Sequence, residues 1–551
     1  MWRRIVDKLH WSFESLVIRD GTYFGFGWVF HEDEEIQDLR LVVRLENGED
    51  QSIETVFGKP RDDVAAHFPE FGMALHSGYI FLGSCNHESK QLSNIFLSGM
   101  LVDGHIFELN IPQTSLTHLD SQQSTVEHAP ATRLVALFKR GLRLLINGQF
   151  FSSYKKSNSC QLCIPKPVIS YAEAIREKLS INEQKFVILV IDHDLGGGAN
   201  LYREQLLAKK IKEGATVFIF SFHVINLSYV LMVRNERLNE RLDISGYDFL
   251  LELAEQFKFK EIIYNTGVSF VHPEEIPRLI VKLKNKLNPR LTLLAHDFFM
   301  VCPSHCLLDD KGVFCQIPDT RQCQSCLTRN QQGFATLFQA RDMVLWRALW
   351  GNVIELADEV ITFSNDSLKL FQKAYPLLDL SRAVVIPHEI EHLQCEHVRP
   401  SYKATLRIGV VGQIGSHKGA KFVQELAQEI KGRDLDIQIV VIGAIESRCE
   451  QSIVRQTGPY QHEQLPALIE SSGVNIMLFP SIWPETFSYV VQELIELDLP
   501  VACFDLGAPA ERLRAYAKGL ILYEPNASLV LDSLIDFHQR IYLYESSFVT
   551  I

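Results

Sequence analysis

No apolar run in this 551-residue sequence is long enough to cross a bilayer, which takes about 20 consecutive apolar residues. Positive charge is also scarce. Lys and Arg number 54 against 67 Asp and Glu, a formal net charge of −13. Nucleic-acid binders draw much of their affinity from neutralising phosphates, so no nucleic-acid partner is expected. A local basic site for a single diphosphate is still compatible with this balance. The start, Met1-Trp2-Arg3-Arg4, is basic, but Asp7, Lys8 and Glu14 interrupt the apolar stretch that a signal peptide needs. Residence in the cytoplasm is therefore expected. The eleven cysteines are then read as thiols or metal ligands rather than disulfides.

What is present reads as soluble and globular, with 46% hydrophobic and 22% charged residues. The length asks for more than one core. Residues 1–112 look all-β. Short apolar segments (Tyr23 to Phe30, Leu39 to Leu45, Tyr79 to Leu82, Ile95 to Leu109) alternate with turn signals such as Asn47-Gly48 and Asp103-Gly104. A small β-sandwich accessory module is expected, acting either in docking or as a spacer packed on its neighbour. Residues 113–183 read as a linker followed by an amphipathic helical stretch, Leu134 to Phe151. That stretch either packs on a core or lies on an anionic membrane face, which would place the protein at the inner surface of the membrane.

From residue 184 the pattern becomes α/β. Phe186 to Ile191 is a continuous apolar run, as a parallel strand buried on both faces requires. Further strands are expected at Thr216 to Phe220, Glu261 to Tyr264, Leu291 to Ala295, Glu359 to Phe363 and Ala383 to Ile386. A second α/β unit, 401–551, carries strands at Arg407 to Val411, Asp436 to Ile442, Val474 to Phe479, Pro500 to Phe504 and Leu520 to Tyr523. Two doubly wound, Rossmann-like units, 184–400 and 401–551, bind ligands at the carboxyl ends of their strands and leave a cleft between them.

The strongest chemical signal is Phe479-Pro480-Ser481-Ile482-Trp483-Pro484-Glu485-Thr486-Phe487-Ser488-Tyr489, followed by Val490-Val491-Gln492-Glu493. A strand ends in a Pro-bounded loop, and a helix should begin near Phe487 or Ser488. The free N–H groups and positive dipole end of that helix suit a phosphate. Glu485 and Glu493 beside it are good acceptors for sugar hydroxyls; the alternative is a pair of solvated glutamates. A second signal is Gly412-Gln413-Ile414-Gly415-Ser416-His417-Lys418-Gly419 after the first strand of the C-terminal unit. Glycines let backbone approach a ligand, and Lys418 supplies a point charge for phosphate. A third is His193-Asp194-Leu195-Gly196-Gly197-Gly198-Ala199-Asn200 after the first strand of the N-terminal unit. Either it is a tight strand-to-helix turn or its three glycines bring backbone close to a ligand.

The Glu-x7-Glu segment resembles the motif of glycosyltransferase family 4, retaining enzymes of the GT-B fold. The resemblance covers roughly residues 185 to 530 and is sharpest from 406 to 515. It implies that Glu485 contacts the transferred sugar and Glu493 the nucleotide ribose. Backbone around Thr486, Phe487 and Ser488 would cradle the diphosphate. Lys418, with Gly412 and Gln413, would meet the leaving phosphates, although Gln413 stands where many members carry Arg. His417 or Arg448 could compensate for that cation. Gly196, Gly197 and Gly198 would face donor phosphate and acceptor. His296, at the end of the Leu291 to Ala295 strand, resembles a family histidine facing the donor sugar; a structural histidine is the alternative. Gly507 to Arg512 matches a loop that closes the donor pocket, and Arg512 could equally be a buried structural partner.

Cys302, Cys315, Cys323 and Cys326, with Cys306 and His305 among them, fall in one short stretch, and Cys323-x2-Cys326 has the spacing of a tetrahedral zinc knuckle. A structural zinc on Cys302, Cys315, Cys323 and Cys326 is one expectation; reduced, partly buried thiols are the other. Cys160 and Cys163 form a remote second pair. No metal or other cofactor is expected for catalysis.

The function expected from the resemblance is transfer of a sugar from a nucleotide-diphosphate sugar to a glycan or lipid-linked acceptor with retention of configuration, in bacterial surface polysaccharide synthesis. The rival is a catalytically impaired GT-B protein that binds a sugar nucleotide or glycan. Gln413 and the β-module favour the rival, and Glu485, Glu493 and Lys418 oppose it. A sugar-phosphate epimerase of the same shape fits the Trp-Pro-Glu-Thr-Phe loop less well.

Overall fold

The computed structural model describes residues 8–85, 92–112, 115–118, 186–224, 226–390, 398–402, 404–447 and 449–548. The amphipathic stretch 134–151, the Cys160 and Cys163 pair and Arg448 lie outside these residues. No helix among the described residues is long and apolar enough to cross a membrane.

The chain begins with eight strands: β1 (Leu9–Arg19), β2 (Thr22–His31), β3 (Ile36–Leu45), β4 (Asp50–Lys59), β5 (Gly78–Ser84), β6 (Leu92–Leu101), β7 (Ile106–Asn110) and β8 (Leu116–His118). Their order is β7-β6-β3-β4-β5-β2-β1-β8. Strand β4 turns the corner. Residues 50–54 pair with β3, and Thr55 to Lys59 pair with β5. The two halves close on one core of Leu16, Ile18, Tyr23, Leu41, Val43, Ile53, Phe81, Leu97 and Phe107, the expected small sandwich. Leu116–His118, read from composition as linker, adds a short parallel edge to β1.

The outer face of this sandwich is apolar as well. Val17, Phe24, Phe26, Val56, Ile80 and Leu82 belong to the same core cluster as Phe222, Val224, Leu227 and Phe270 of the next unit. Strand β2 is consequently buried on both faces along nearly its whole length. Polar contacts frame the junction. Arg19 donates to Asn226 O at 3.0 Å and pairs with Asp243 at 3.2 Å. Gln331 donates to Thr55 O and accepts from Phe57 N, and Gln339 donates to Ser84 O.

The second sheet contains β9 (Val187–Ile191), β10 (Thr216–His223), β11 (Ser228–Arg234), β12 (Asn239–Ile244), β13 (Glu261–Tyr264), β14 (Arg290–Leu294), β15 (Glu359–Thr362) and β16 (Ala383–Val385). Its order is β12-β11-β10-β9-β13-β14-β15-β16. It is parallel from β10 to β16, with an antiparallel edge at β11 and β12. The chain leaves β9 toward β10 and returns to β13 on the other side. This reversal opens a crevice at the carboxyl end of β9.

The third sheet is wholly parallel: β17 (Arg407–Ile414), β18 (Gln438–Ile445), β19 (Val454–Gln456), β20 (Ile476–Phe479), β21 (Val501–Phe504) and β22 (Gly519–Leu522), in the order β19-β18-β17-β20-β21-β22. Its reversal lies between β17 and β20. The loops after those two strands are therefore the ones set to hold a ligand, and they carry Lys418 and Glu485.

Candidate active site

The loops after β17 and β20 are pressed together. Ile482 N donates to His417 O at 3.1 Å. Gly419 has φ +82°, and a Cβ there would sit 2.0 Å from Pro480 O. Only glycine fits that approach. A 3-10 turn, Ser416–Lys418, then delivers Lys418 to the cavity.

Beyond Pro480 the loop runs to Ser488, whose φ is +72°. Its hydroxyl accepts from Val491 N at 3.5 Å and caps the helix Tyr489–Glu496. The helix start thus falls at the expected place. Arg512 fixes the turn from behind. It donates to Phe487 O at 2.8 Å and Ser488 O at 3.3 Å, and its guanidinium lies 3.7 Å from the centre of the Phe487 ring. Burial brings its pKa down to about 10. Of its two expected roles, the structure shows that of a partner to the loop. Its neighbour Glu511 reaches the other unit, accepting from Asn365 N and Asp366 N at 3.2 and 2.8 Å at the start of the helix Asn365–Ala374.

A cavity of 530 Å³ lies in the cleft between the two α/β units. It brings together His296, Gly196, Gly197, Gly198, Gly412, Gln413, Lys418, Glu485, Thr486, Phe487 and Ser488. These are all the expected cleft residues except Glu493. Glu485 is 8% exposed, and its Oε1 is buried without a hydrogen-bond partner. Glu493 is fully buried one shell away; its Oε1 lies 3.1 Å from Nδ1 of His462, which does line the cavity. That hydrogen bond raises the His462 pKa. His417, a candidate substitute cation, is buried and held well below its ordinary pKa, chiefly by that burial. It is therefore neutral near pH 7.

The N-terminal unit supplies the opposite wall. The glycine loop is tied by Asn200, which accepts from Gly196 N at 2.7 Å and donates to Asp192 at 2.7 Å and to His193 O at 3.1 Å. Gly198 serves a close approach across the cleft, since a Cβ there would lie 3.0 Å from the Tyr489 ring. His296 is tied by its backbone: Thr486 Oγ1 donates to His296 O at 2.7 Å. Burial lowers the His296 pKa to about 3. Asp297 accepts from Thr266 Oγ1 at 2.6 Å and Phe299 N at 2.8 Å, while burial pushes its carboxyl up to about 6.

Several wall residues were not singled out from sequence. His388, just past β16, stacks on Phe487 at 4.3 Å and meets the Phe363 ring at 4.1 Å. Tyr489 reaches it from the helix Tyr489–Glu496. Gly443, Pro459 and Tyr460 line the end of the cavity near His462. His388, Gly443, Pro459 and Tyr460 belong to no local motif; Gly443 lies within β18 and the others just beyond the ends of β16 and β19.

The cysteines of the zinc expectation are free thiols in this structure. Among the described residues no group of three or more His, Cys, Asp or Glu side chains could hold a metal ion. Cys302, Cys315, Cys323 and Cys326 are free cysteines that lie near one another. Cys315 accepts from Ile317 N at 3.4 Å, Cys323 donates to Pro318 O at 3.6 Å, and Cys326 accepts from Asn330 Nδ2 at 3.4 Å. Burial raises the Cys302 thiol to about 12.

Residues 399–539 match the family described as glycosyl transferases group 1. The match takes in the Lys418 turn, the Glu485 to Glu493 segment and the Gly507 to Arg512 loop. A search of curated proteins gives no match. Among solved structures, HepE from Anabaena in complex with UDP and glucose is 14% identical over 65% of this chain and 99% of that one, with a TM-score of 0.39. A glycosyltransferase from Rickettsia africae is 15% identical over 65% and 89%, at 0.41. The catalytic domain of starch synthase IV from Arabidopsis thaliana, bound to ADP and acarbose, is 11% identical over 64% and 92%, at 0.38. Likeness of this degree carries no argument about ligand or reaction. The architecture itself is GT-B: two Rossmann-like units facing a cleft, preceded by an all-β sandwich.

Proposed function

We propose that the chain is a glycosyltransferase that holds a nucleotide-diphosphate sugar in this cleft and passes the sugar to a glycan or lipid-linked acceptor with retention of configuration. The carrying observation is the meeting of Glu485, Lys418 and the Thr486–Ser488 turn around one cavity, inside the segment that matches glycosyl transferases group 1. Glu493 would hold the ribose, Glu485 the sugar, and the turn and Lys418 the diphosphate. As the glycosidic bond breaks, its electron pair leaves with the diphosphate. Lys418 and the N-terminus of the helix Tyr489–Glu496 stabilise that growing charge. The acceptor oxygen bonds to the same face of the sugar and its proton passes to the departing phosphate. The closed cleft keeps water from competing. His296 completes the sugar wall. The setting that fits this reading is bacterial surface polysaccharide synthesis on the cytoplasmic side of the membrane.

Gln413 at the cavity wall favours the second reading, a binder of sugar nucleotides with impaired catalysis. Release of nucleoside diphosphate from a panel of nucleotide sugars, with and without acceptor extract, separates the two. Acceptor-dependent release establishes the transferase. Saturable donor binding without release, under every acceptor tried, replaces it with the binder.

A further inference from the structure

Three ring nitrogens and one carboxylate oxygen around this cleft share a property. His296 Nε2, both nitrogens of His388 and Glu485 Oε1 are buried and have no hydrogen-bond partner. All three residues line the cavity. They also belong together in space. The His296 and His388 rings are 5.2 Å apart, His388 lies on Phe487, and Thr486, next to Glu485, bonds the His296 carbonyl. An unsatisfied buried polar atom is costly unless something arrives to satisfy it. A neutral imidazole offers one donor and one acceptor, the complement of a hydroxyl. Burial holds both histidines far below their ordinary pKa, so neither presents a positive charge near neutral pH.

The charge of the wall points the same way. Lys418 is the one Lys or Arg lining the cavity among the described residues, against the carboxylates of Glu204, Asp297 and Glu485. Glu204 is already paired with Arg203 and Arg234. The Glu485 carboxylate forms no ion pair; the charge of Arg512 reaches it only from behind the turn, where that guanidinium is bound to the Phe487 and Ser488 carbonyls. A carboxylate on the sugar would face Glu485 and two uncharged rings.

We propose that the sugar end of the cavity is built for an uncharged sugar rather than a uronic or other acidic sugar, and that His388 binds one of its hydroxyls. This rests on the reading of the cleft as a nucleotide-sugar site. Glu485 accepts from one hydroxyl, and His388 and His296 exchange hydrogen bonds with others. The stacking on Phe487 holds the His388 ring in place while its nitrogens do the reading.

Calorimetric titration tests both parts. The probes are uridine, adenosine and guanosine diphosphates and, for each, the hexose conjugate and the matching uronate conjugate. The wild-type protein should bind the hexose conjugate of its preferred nucleotide at least about tenfold more tightly than the uronate, as like-charge juxtaposition demands. His388→Phe keeps a stacking ring and removes both nitrogens. It should weaken the hexose conjugate about fivefold or more, the effect of one lost hydrogen bond, and leave the bare diphosphate unchanged. His388→Asn, which keeps a donor and an acceptor, should recover part of the loss; thermal melts of both variants check folding. Equal or tighter binding of the uronate overturns the neutral-sugar assignment. An unchanged hexose conjugate in a folded His388→Phe protein overturns the role of His388. If no bare diphosphate binds the wild type, the reading of the cleft fails and this proposal falls with it.

Discussion

On the proposed reading, Lys418 is the lining cation that meets the leaving diphosphate. Gln413 is uncharged and His417 is buried and neutral, so neither supplies the second cation. Charge on the diphosphate grows during bond breaking, so Lys418→Ala should lower turnover about 10²–10³-fold, with a much smaller loss in donor affinity. Equal turnover would place the phosphates elsewhere. Glu493 makes a second test. Its replacement by Ala should weaken nucleoside diphosphate binding by about 1.5–3 kcal/mol, the loss of hydrogen bonds to a charged group. Unchanged affinity in a folded variant removes it from the ribose site. His462 adds a pH signature. Its bond to Glu493 raises its pKa, so below that raised value the two form an ion pair. A ribose that takes Glu493 must loosen this pair and release the proton from His462. Nucleotide affinity should therefore rise with pH through the raised pKa, and more steeply in wild type than in His462→Gln. The difference between the two calorimetric profiles isolates this proton from those of the nucleotide; superimposable profiles sink the idea.

At the scale of elements, the Thr486–Ser488 turn, proposed for the diphosphate, is a piece of strained backbone held by its surroundings. Ser488 sits at φ +72°, which a non-glycine residue tolerates only when neighbours over-determine it. Arg512 does most of that holding through two carbonyls and the Phe487 ring. Arg512→Ala should leave the turn mobile and raise the donor KM, while Arg512→Lys, lacking the planar fork, restores it only in part. Steady-state kinetics on both variants decides it; identical KM values in all three proteins would make the contact incidental. This turn was legible in sequence because a Pro-bounded loop between a strand and a helix is local. The same holds for Lys418, one strand away in the same unit. His388 was not legible: it follows β16 and owes its role to rings from Phe363, Tyr202 and Phe487, contacts that no spacing encodes. The cysteine sulfurs are a similar case. Cys323-x2-Cys326 fixes where two Cα atoms lie, but the directions of the sulfurs depend on Pro318 and Asn330. Strand β1 and strand β4 went unread because polar residues break their apolar runs.

At the scale of the whole molecule, the β-module is part of the enzyme's frame. It shares a core with the N-terminal α/β unit through Phe24, Phe26 and Leu82. Through Gln331 and Gln339 it also braces the loop that carries His305 into the cavity wall. It extends to the C-terminal unit as well. Lys59, at the end of β4, is brought down to a pKa of about 8 by burial, opposed by the charge of Glu446. Glu446, just beyond β18, attracts it and accepts a hydrogen bond from the Ser416 N–H. The pair thus links the module to the backbone of the Lys418 turn. Glu446 is exposed and Lys59 half-buried, so their attraction is screened and worth at most about 1 kcal/mol. Lys59→Met and Glu446→Gln should each lower the thermal midpoint slightly and weaken nucleotide binding by disturbing Ser416. The double variant should lose little more than either single change. A double-mutant cycle measured by melting and by calorimetric titration gives the coupling directly. Strict additivity of the two single effects would mean that the module ends at the N-terminal unit and leaves the donor site untouched.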